Sequence, residues 1–453
     1  MAYYTWKSYK SDKSPLEIFR ALKGGRNCFF LDSSLAANYS LGRYSFLGIN
    51  PFKTFSAKNR DRLGALREEL EKYKIEGPRN SPPFLGGAVG YLAYDAGFLL
   101  EKRLKRHIKD DLKIPDLFFA FYNTVIIVDH FKKIFGIFAL GFPEKRSSLQ
   151  EALARENIAK LEKLIFENTP DDNMGKTIKT AQPQSNFSKA KYIAAVKTAK
   201  EYIKDGDIYQ VNLSQRFSSR TNLGATEIYE RLRMHSPAYF GAYFDPGPFQ
   251  IISSSPERFL SLRKDIVITR PMKGTRPRSS DETEDSRLKN DLLASPKDKA
   301  ELMMIVDLER NDLGRVCNYD SVKVETLREL EEYNTVFQTT ANIYGKLYKG
   351  KDRIDLLRAC SPGGSITGCP KIRAMEIIEE LEPSRRGIYT GALGYLSFSG
   401  DMDFNVLIRT ILKNKDKIYF GVGGGIVADS NPEEEYNETL VKAEGIMRAL
   451  SAK

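Results

Sequence analysis

Residues 239–270 read YFGAYFDPGPFQIISSSPERFLSLRKDIVITR, and this stretch decides the fold class. Short apolar runs alternate in it with turn signals at Asp245-Pro246-Gly247 and Lys264-Asp265, which predicts consecutive antiparallel strands. Outward from it, the same patterning predicts strands near 28–31, 44–47, 86–90, 117–128, 209–214, 391–398, 404–412 and 417–422. Because strand clusters outnumber strand–helix–strand units, the sequence predicts an α+β fold of large, mainly antiparallel sheets flanked by helices.

Helical periodicity is clearest in five places, and a polar stretch separates the first of them from the rest. The predicted helices cover 148–168, 188–205, 297–313, 371–382 and a last segment from residue 432. Residues 169–185 are polar and contain two prolines, which predicts a linker. We therefore expect an N-terminal region at 1–168 and a C-terminal region at 186–453.

Composition excludes several classes of protein. With 41% hydrophobic and 28% charged residues the chain has globular composition, and no run approaches the ~18 apolar residues of a membrane span. The first residues lack the features of a secretory signal, so a cytoplasmic protein is expected. The four cysteines form no CxxC pair and the three histidines are scattered. A zinc site, a disulfide framework and a Ser-His-Asp centre are therefore not expected.

The net charge of +11 raises the question of nucleic-acid binding. The basic residues are spread along the chain among acidic ones, and no nucleic-acid-binding motif is present. A solvated surface that attracts an anionic substrate is the favoured interpretation.

Carboxylates at helical spacing are the first candidate site. Glu435, Glu438 and Lys442 share one face of the last predicted helix, and Asp298 and Glu301 lie at the start of the helix near 300. Two such helices facing each other would offer the few carboxylates that Mg²⁺ prefers. Ordinary surface pairing of Glu438 with Lys442 is the alternative.

Glycine-rich loops and one lysine are the other candidates. Residues 361–371 and 423–425 follow predicted strands or lead into a helix, where backbone N–H groups can approach an anion; tight turns are the simpler explanation. Lys273 stands among the three arginines of 270–278. Neighbouring cations lower a lysine pKa and so produce a nucleophile, whereas a solvent-exposed basic turn is the plain alternative.

Taken together, the motifs resemble those of the chorismate-utilising enzymes. The resemblance is dense over 186–453 and looser before it, and in chain order its motifs are Ser255–Phe259, Lys273–Arg278, Glu301–Asp312, Ser365–Lys371, Ile408–Thr410, Gly423–Ser430 and Glu438–Lys442. It implies the fold of anthranilate synthase component I, a sandwich of antiparallel sheets with an N-terminal region related to that enzyme. It also implies an enzyme that binds chorismate and Mg²⁺.

The resemblance assigns roles to individual residues. Glu257 would be the general acid that protonates the departing C4 hydroxyl, and Arg409 with Tyr395 would hold the enolpyruvyl carboxylate. The expected metal ligands are Glu301 and Glu438, with Asp298 and Glu435 as outer or alternative ligands. The remaining expected substrate contacts are Gly274, Thr275, Thr367, Gly423, Gly424, Gly425, Lys442 and Gln210.

Three positions distinguish the members of this group. Lys273 is similar to the lysine of the aminodeoxychorismate synthases, where anthranilate synthases typically have alanine. Gln210 stands where the isochorismate and salicylate synthases have a lysine that activates water. Gln338 stands where most members have a histidine, and it is either a functional change or neutral drift. The resemblance therefore favours C4 amination of chorismate for p-aminobenzoate and folate synthesis, through a covalent bond to Lys273.

The chain lacks a recognisable glutaminase segment, so the resemblance also implies a separate glutamine amidotransferase subunit that supplies ammonia. Anthranilate synthase component I, which serves tryptophan synthesis, is the alternative activity, and a catalytically silent chorismate-binding subunit is the alternative from another class. A candidate tryptophan pocket, or inert packing, is expected at Asp32, Ser33, Ser236, Pro237 and Tyr239.

Overall fold

The computed structural model describes residues 3–10, 12–35, 39–167, 179–333 and 336–451. Twenty-two strands lie in these ranges. In chain order they are β1 Tyr4–Tyr9, β2 Phe29–Asp32, β3 Tyr44–Gly48, β4 Lys53–Ala57, β5 Gly87–Leu92, β6 Leu117–Tyr122, β7 Thr124–Asp129, β8 Ile134–Leu140, β9 Gln184–Ser185, β10 Gln210–Arg220, β11 Phe240–Phe244, β12 Gln250–Ser255, β13 Arg258–Arg263, β14 Ile266–Arg270, β15 Met272–Pro277, β16 Lys323–Glu332, β17 Val336–Lys346, β18 Gly368–Cys369, β19 Ala392–Ser397, β20 Met402–Val406, β21 Thr410–Asn414 and β22 Lys417–Ile426.

Twelve α-helices lie in the same ranges. They are α1 Pro15–Ala21, α2 Tyr39–Gly42, α3 Leu63–Glu71, α4 Gly97–Leu100, α5 Ser147–Glu167, α6 Lys189–Lys204, α7 Ala225–His235, α8 Glu282–Ala294, α9 Pro296–Gly314, α10 Arg353–Cys360, α11 Lys371–Leu381 and α12 Pro432–Leu450. In the described part of the chain, none of them is both long and apolar enough to cross a membrane.

The strands form two large antiparallel sheets. The first sheet has the order β1-β8-β7-β3-β2-β11-β12-β21-β22-β10-β18, with β9 beside β10. The second has the order β15-β17-β14-β13-β20-β19-β5-β6-β4, with β16 beside β17. The predicted α+β fold with large antiparallel sheets is confirmed.

Strands from both ends of the chain share each sheet. In the second sheet β5 pairs with β19, and in the first sheet β2 pairs with β11. The predicted boundary near residue 168 therefore does not coincide with a boundary between sheets. Residues 169–178 of the predicted linker lie outside the described residues, and the remainder of it pairs through β9 with β10.

The sheets face each other across the larger of two apolar cores. This core joins residues of both sheets, such as Phe29 and Leu213 of the first with Val89 and Phe404 of the second. Ring pairs cross between the sheets, as in Phe46 with Tyr395 at 5.6 Å. A second core lies between the first sheet and the helices α1, α5, α7 and α12. The first sheet is therefore buried on both faces.

The predicted bounds of helices agree best with the structure where the sequence contains a helix cap or a turn signal. The helices predicted at 148–168, 188–205 and from residue 432 are α5, α6 and α12, and the Ser188 side chain that caps α6 accepts a hydrogen bond from the Lys191 backbone N–H at 3.3 Å. The strand predicted over 404–412 is wrong as a single element. It is two strands, β20 and β21, because the chain leaves the second sheet for the first at residues 407–409.

Candidate active site

The chain crosses between the two sheets at two neighbouring places, and each crossing carries a predicted functional side chain. Strand β12 belongs to the first sheet and β13 to the second, so Glu257 lies in the two-residue connection between them. Arg409 lies in the return crossing from β20 to β21. The backbone N–H of Val406 donates to the Glu257 carbonyl at 3.0 Å, which ties the two crossings together.

Ser365 joins Lys273 to Glu257. The ammonium nitrogen of Lys273 donates to the Ser365 carbonyl at 3.1 Å, and the Ser365 hydroxyl donates to Glu257 Oε1 at 2.5 Å. The sequence placed Ser365 in a glycine-rich loop but gave it no role of its own. Its position shows that the loop between α10 and α11 holds the predicted nucleophile and the predicted acid in one cluster.

Burial changes the protonation of both groups. Burial raises the pKa of Glu257 to about 7, against opposing effects of the Ser365 hydroxyl and Lys273. Burial also lowers the pKa of Lys273, and Lys442 adds to that shift while Glu301 and Glu257 oppose it. Burial thus favours the neutral form of both groups, which is the form that a general acid and a nucleophile require.

The predicted cause of the lowered pKa of Lys273 is wrong. The neighbouring arginines were expected to lower the pKa of Lys273, but each is matched by carboxylates of its own. The ion pairs are Arg270 with Glu331 at 2.6 Å, Arg276 with Asp291 at 2.5 Å and Arg278 with Asp285 at 2.8 Å. Desolvation and Lys442 act on Lys273 instead.

Gly274 shapes the strand next to Lys273. Its φ of 74° lies in the left-handed region, and a Cβ there would come 2.8 Å from Leu292 Cδ1 and 3.1 Å from Asp298 Oδ1. The register between β15 and β17 shifts at this point, between Lys273 and Thr275. On β17, Gln338 donates from Nε2 to Thr275 Oγ1 at 3.3 Å, while its Oε1 has no partner among the described residues. Gln338 therefore lies beside the lysine strand with a free acceptor.

The predicted carboxylate face is present on α12. A Cβ at Gly424 of β22 would lie 3.2 Å from Glu435 Oε2, 3.4 Å from Glu438 Oε1 and 3.9 Å from Lys442 Nζ. Lys442 pairs with Glu438 at 2.5 Å and donates to the Gly423 carbonyl at 3.0 Å. The absence of a side chain at Gly424 leaves room for these groups against the strand.

Glu301 on α9 faces the same group of charges. Burial raises its pKa, Lys273 and Lys297 oppose the shift, and Glu438 raises it further. Burial also raises the pKa of Glu435, again with a contribution from Glu438. The carboxylates of α9 and α12 therefore repel one another, and a cation between them would relieve that repulsion.

The donor set suits a magnesium ion in type and number. No three or more His, Cys, Asp or Glu side chains in the described ranges lie close enough together to form a complete metal cage. Mg²⁺ needs only one or two protein carboxylates, since water and substrate complete its octahedron. Asp298 is less available than Glu301, because it is 3.1 Å from Arg276 Nη2.

The inner face of β10 carries unpaired acceptors. Gln210 Oε1 and Asn212 Oδ1 are buried and have no hydrogen-bond partner among the described residues. They lie against the glycines of β22, where a Cβ at Gly425 would be 2.1 Å from Gln210 Nε2 and one at Gly423 would be 3.1 Å from Asn212 Oδ1. Two buried acceptors next to each other suit a small ligand with several N–H donors.

Two other predicted substrate contacts differ in character. Burial lowers the pKa of Arg409, whose φ is 50°, and no described carboxylate forms an ion pair with it. A half-buried cation without a counter-ion is suited to bind an anionic ligand. The hydroxyl of Thr367 instead donates to the Gly363 carbonyl at 2.8 Å, and its carbonyl accepts from the Asn212 N–H at 2.8 Å. Thr367 thus holds the loop.

Tyr395 is not brought to this cluster. Its ring lies 4.6 Å from that of Phe84 and lines a separate cavity of about 410 Å³ between the sheets. Asp32, Ser33 and Tyr239 of the candidate tryptophan pocket line the same cavity, whereas Ser236 and Pro237 do not.

Asp32 is not free to bind a ligand amine. It accepts hydrogen bonds from Tyr229 at 2.9 Å and Arg233 at 2.6 Å, so its charge is used inside the protein.

Tyr389 is a residue that the sequence did not single out. Its ring fills the space beside Gly421, on the strand that also carries Gly423 and Gly425.

Comparison with known proteins agrees with this geometry. The profile of the chorismate binding enzyme family matches residues 26–448. The chain belongs to this family. It is 36% identical to aminodeoxychorismate synthase component 1 of Bacillus subtilis, over 90% of this chain and 89% of that protein. It is also 36% identical to anthranilate synthase component 1 of Aquifex aeolicus, over 97% of this chain and 92% of that protein.

A solved structure extends the likeness to three dimensions. The crystal structure of anthranilate synthase component I from Streptococcus pneumoniae aligns with a TM-score of 0.79 and 33% identity, over 89% of this chain and 92% of that one. This member of the chorismate-binding family is therefore an enzyme that acts on chorismate. Relatives with two different activities are equally similar to it, so overall likeness does not select the product.

Proposed function

We propose that the protein is the chorismate-aminating component of aminodeoxychorismate synthase, and that it forms 4-amino-4-deoxychorismate. The observation that carries the proposal is the half-buried Lys273, whose Nζ atom lies 3.1 Å from the Ser365 carbonyl oxygen. The hydroxyl of the same serine donates to Glu257. An amine with a lowered pKa beside a protonated carboxyl is the pair that a covalent displacement needs.

The proposed reaction has two displacements. The Lys273 amine attacks C2 of chorismate, the two conjugated ring double bonds shift, and the C4–O bond breaks as Glu257 gives its proton to the leaving hydroxyl, which departs as water. The lysine nitrogen then returns a proton to Glu257. Ammonia attacks C4, the two double bonds shift back, and the C2–N bond breaks as Glu257 protonates the lysine nitrogen. Glu257 finally takes the extra proton from the new ammonium group at C4. The sum is chorismate plus ammonia giving aminodeoxychorismate plus water.

The rest of the cluster supports binding of the two substrates. Arg409 has no ion-pair partner among the described residues, so it suits a carboxylate of chorismate. The side-chain oxygens of Gln210 and Asn212, which no described residue bonds, suit the N–H groups of ammonia. Neither amide can act as a base that activates water. The ammonia would come from glutamine through a separate amidotransferase subunit, because the curated relatives are named as component 1 of their synthases.

We also propose that Glu301 and Glu438 hold Mg²⁺, with Glu435 beside them. Bound there, the ion would neutralise a carboxylate of chorismate and position it. Lys442 keeps Glu438 ionised, since it lowers the pKa of that carboxyl, and an ionised carboxylate is the form that binds a metal.

The product identifies the activity directly. Incubation of the purified protein with chorismate, Mg²⁺ and ammonium at mildly alkaline pH is expected to give a product that retains the enolpyruvyl group and carries one amine, as measured by mass spectrometry. A lyase that converts aminodeoxychorismate should then release p-aminobenzoate. Glutamine in place of ammonium should give no product without a partner subunit.

Anthranilate synthase component I is the second candidate, because relatives with that name match as well as the aminating one does. Anthranilate with pyruvate as the main product would establish it and overturn C4 amination. Isochorismate or salicylate would overturn both.

Removal of the metal should stop the reaction. Chelation by EDTA is expected to lower chorismate consumption by about 100-fold or more, since a metal supplies several kcal/mol of charge stabilisation, and excess Mg²⁺ should restore the rate. Glu438→Gln should raise the Mg²⁺ concentration needed for half-maximal rate.

Glu434→Gln is the matched control, because Glu434 is an exposed glutamate of the same helix. Full activity in EDTA, or the same Mg²⁺ dependence in Glu438→Gln as in the control, would contradict the proposed metal site.

A further inference from the structure

Glu309 is a buried carboxyl that none of the roles above uses. It lies on α9 and is 7% exposed. Its Oε2 atom is 2.7 Å from the hydroxyl oxygen of Thr269, and that hydroxyl oxygen is also 2.7 Å from the Phe259 carbonyl oxygen. Thr269 itself is 3% exposed, so both side chains of this pair are buried.

The number of hydrogens fixes the protonation of this chain of oxygens. Two oxygens 2.7 Å apart need a hydrogen between them. The Phe259 carbonyl has no hydrogen to give, so the single hydroxyl hydrogen of Thr269 must point to it. The hydrogen between Thr269 and Glu309 must then belong to Glu309, which is therefore a neutral acid that donates to Thr269.

Both ends of this chain lead to Glu257. Phe259 follows Glu257 by two residues and lies where the register of β13 against β14 shifts, between Arg258 and Ser261. At the other end, a Cβ at Gly364 would lie 3.3 Å from Glu309 Cγ, and the next residue in the chain is Ser365. Glu309 thus supports the strand that follows the general acid and contacts the loop that bonds it.

We propose that Glu309 is a positioning residue that acts as a neutral hydrogen-bond donor, and that the chain from Glu309 through Thr269 to the Phe259 carbonyl fixes the backbone that presents Glu257. The proposal rests on the role of Glu257 in the proposed function. It adds a requirement that the catalytic groups do not reveal, namely a second buried acid that must keep its proton.

The electrostatics agree with a neutral Glu309. Burial raises its pKa to about 8, the Thr269 hydroxyl opposes the shift, and Glu257 and Asp312 raise it further. Two other groups face Glu309. They are Lys371 on α11, which lowers the pKa of Glu309, and the Cys360 thiol at the end of α10. Burial therefore favours the protonated form of Glu309 at neutral pH.

A stability measurement tests the charge state without reference to activity. A pKa raised from 4.5 to about 8 means that the folded state holds the proton more tightly. That stabilisation is complete below pH 4.5 and is lost as the pH rises through about 8. In Glu309→Gln this pH dependence is absent. The melting temperature of Glu309→Gln minus that of the wild type should therefore increase between pH 5 and pH 8.5, by about 3 °C or more.

Glu379→Gln is the matched control for this experiment. Glu379 is equally buried but accepts hydrogen bonds from the backbone N–H groups of His107 and Ile108, so its carboxylate is used as an acceptor. The melting temperature of Glu379→Gln minus that of the wild type should not rise with pH. A difference for Glu309→Gln that stays flat, or falls, would show an ionised Glu309 and overturn the proposal.

A kinetic measurement tests the positioning role. Thr269→Val removes the hydroxyl, and we expect kcat for chorismate consumption to fall about tenfold or more with KM little changed, because the acid is misplaced while substrate contacts remain. Thr269→Ser, which keeps the hydroxyl, should recover most of the lost kcat. Glu309→Gln should retain a higher kcat than Glu309→Leu, because the amide can still donate a hydrogen bond to Thr269.

Chorismate consumption is measured whichever product forms, so an unexpected product would contradict the proposed function and leave this test intact. A normal kcat in Thr269→Val, or equal losses in Thr269→Ser and Thr269→Val, would overturn the positioning role. The Thr269 variants give this answer whether or not Glu309→Gln folds.

Discussion

Replacing Lys273 with alanine is expected to lower the rate of C4 amination by about 10³-fold or more, as loss of a covalent nucleophile does elsewhere. The remaining groups still bind chorismate, so KM should change less than kcat. The measurement is the rate of aminodeoxychorismate formation with the partner glutaminase and with ammonium. Mass spectrometry of wild-type enzyme quenched during turnover should also show an adduct on the peptide that contains Lys273.

Lys297→Ala is the matched control for Lys273→Ala. Lys297 is a half-exposed cation that acts on the same carboxylates, so its removal changes the local charge equally without removing the nucleophile. We expect its rate to stay within a few-fold of the wild type. Native-rate formation of aminodeoxychorismate by Lys273→Ala would show that ammonia attacks without the covalent step.

Glu257→Gln is expected to lower kcat by about 10²- to 10⁴-fold, the usual contribution of a general acid. The amide preserves the size of the side chain and can still accept a hydrogen bond from the Ser365 hydroxyl. The substitution therefore removes the acidic proton and leaves this contact in place. Since the acid is active in its protonated form and burial raises its pKa to about 7, wild-type kcat/KM should decline as the pH rises above about 7. That decline should be absent from the residual activity of Glu257→Gln.

The control for Glu257→Gln is again Glu379→Gln, which removes a buried carboxylate that bonds the backbone at residues 107 and 108 and should leave the rate within about threefold of the wild type. A Glu257→Gln variant with near-native kcat, or with an unchanged alkaline decline, would assign the proton transfer to another group.

The sequence predicts this fold well because its helices and turns are local features. The helices predicted from residues 188 and 432 begin where expected, because the serine that caps α6 and the asparagine and proline at the start of α12 act within a few residues. Alternation of apolar residues also predicts strands, but it does not say which sheet a strand joins. The crossings at Glu257 and Arg409 could not be foreseen for that reason, although they bring the two side chains together.

The rest of the site could not be predicted, because it depends on contacts between residues that are far apart in the sequence. The charge pattern around Lys273 suggested that the arginines act on it, whereas Arg270 is neutralised by Glu331, a residue far along the chain. Tyr395 was matched to Arg409 by motif, but β19 directs its ring into the cavity on the Phe84 side. Ser365 and Glu309 matter only through contacts with distant residues, so no local pattern marks them.

The interleaving of the two halves of the chain in both sheets has a consequence for synthesis of the protein. Strand β5 is buried along its whole length, and one of its partners, β19, follows roughly 300 residues later. At about 5–20 residues per second on a ribosome, the nascent N-terminal half would wait roughly 15–60 s for that partner. During this time one edge of β5 lacks its native partner, and an unpaired apolar strand edge is a surface on which nascent chains can associate.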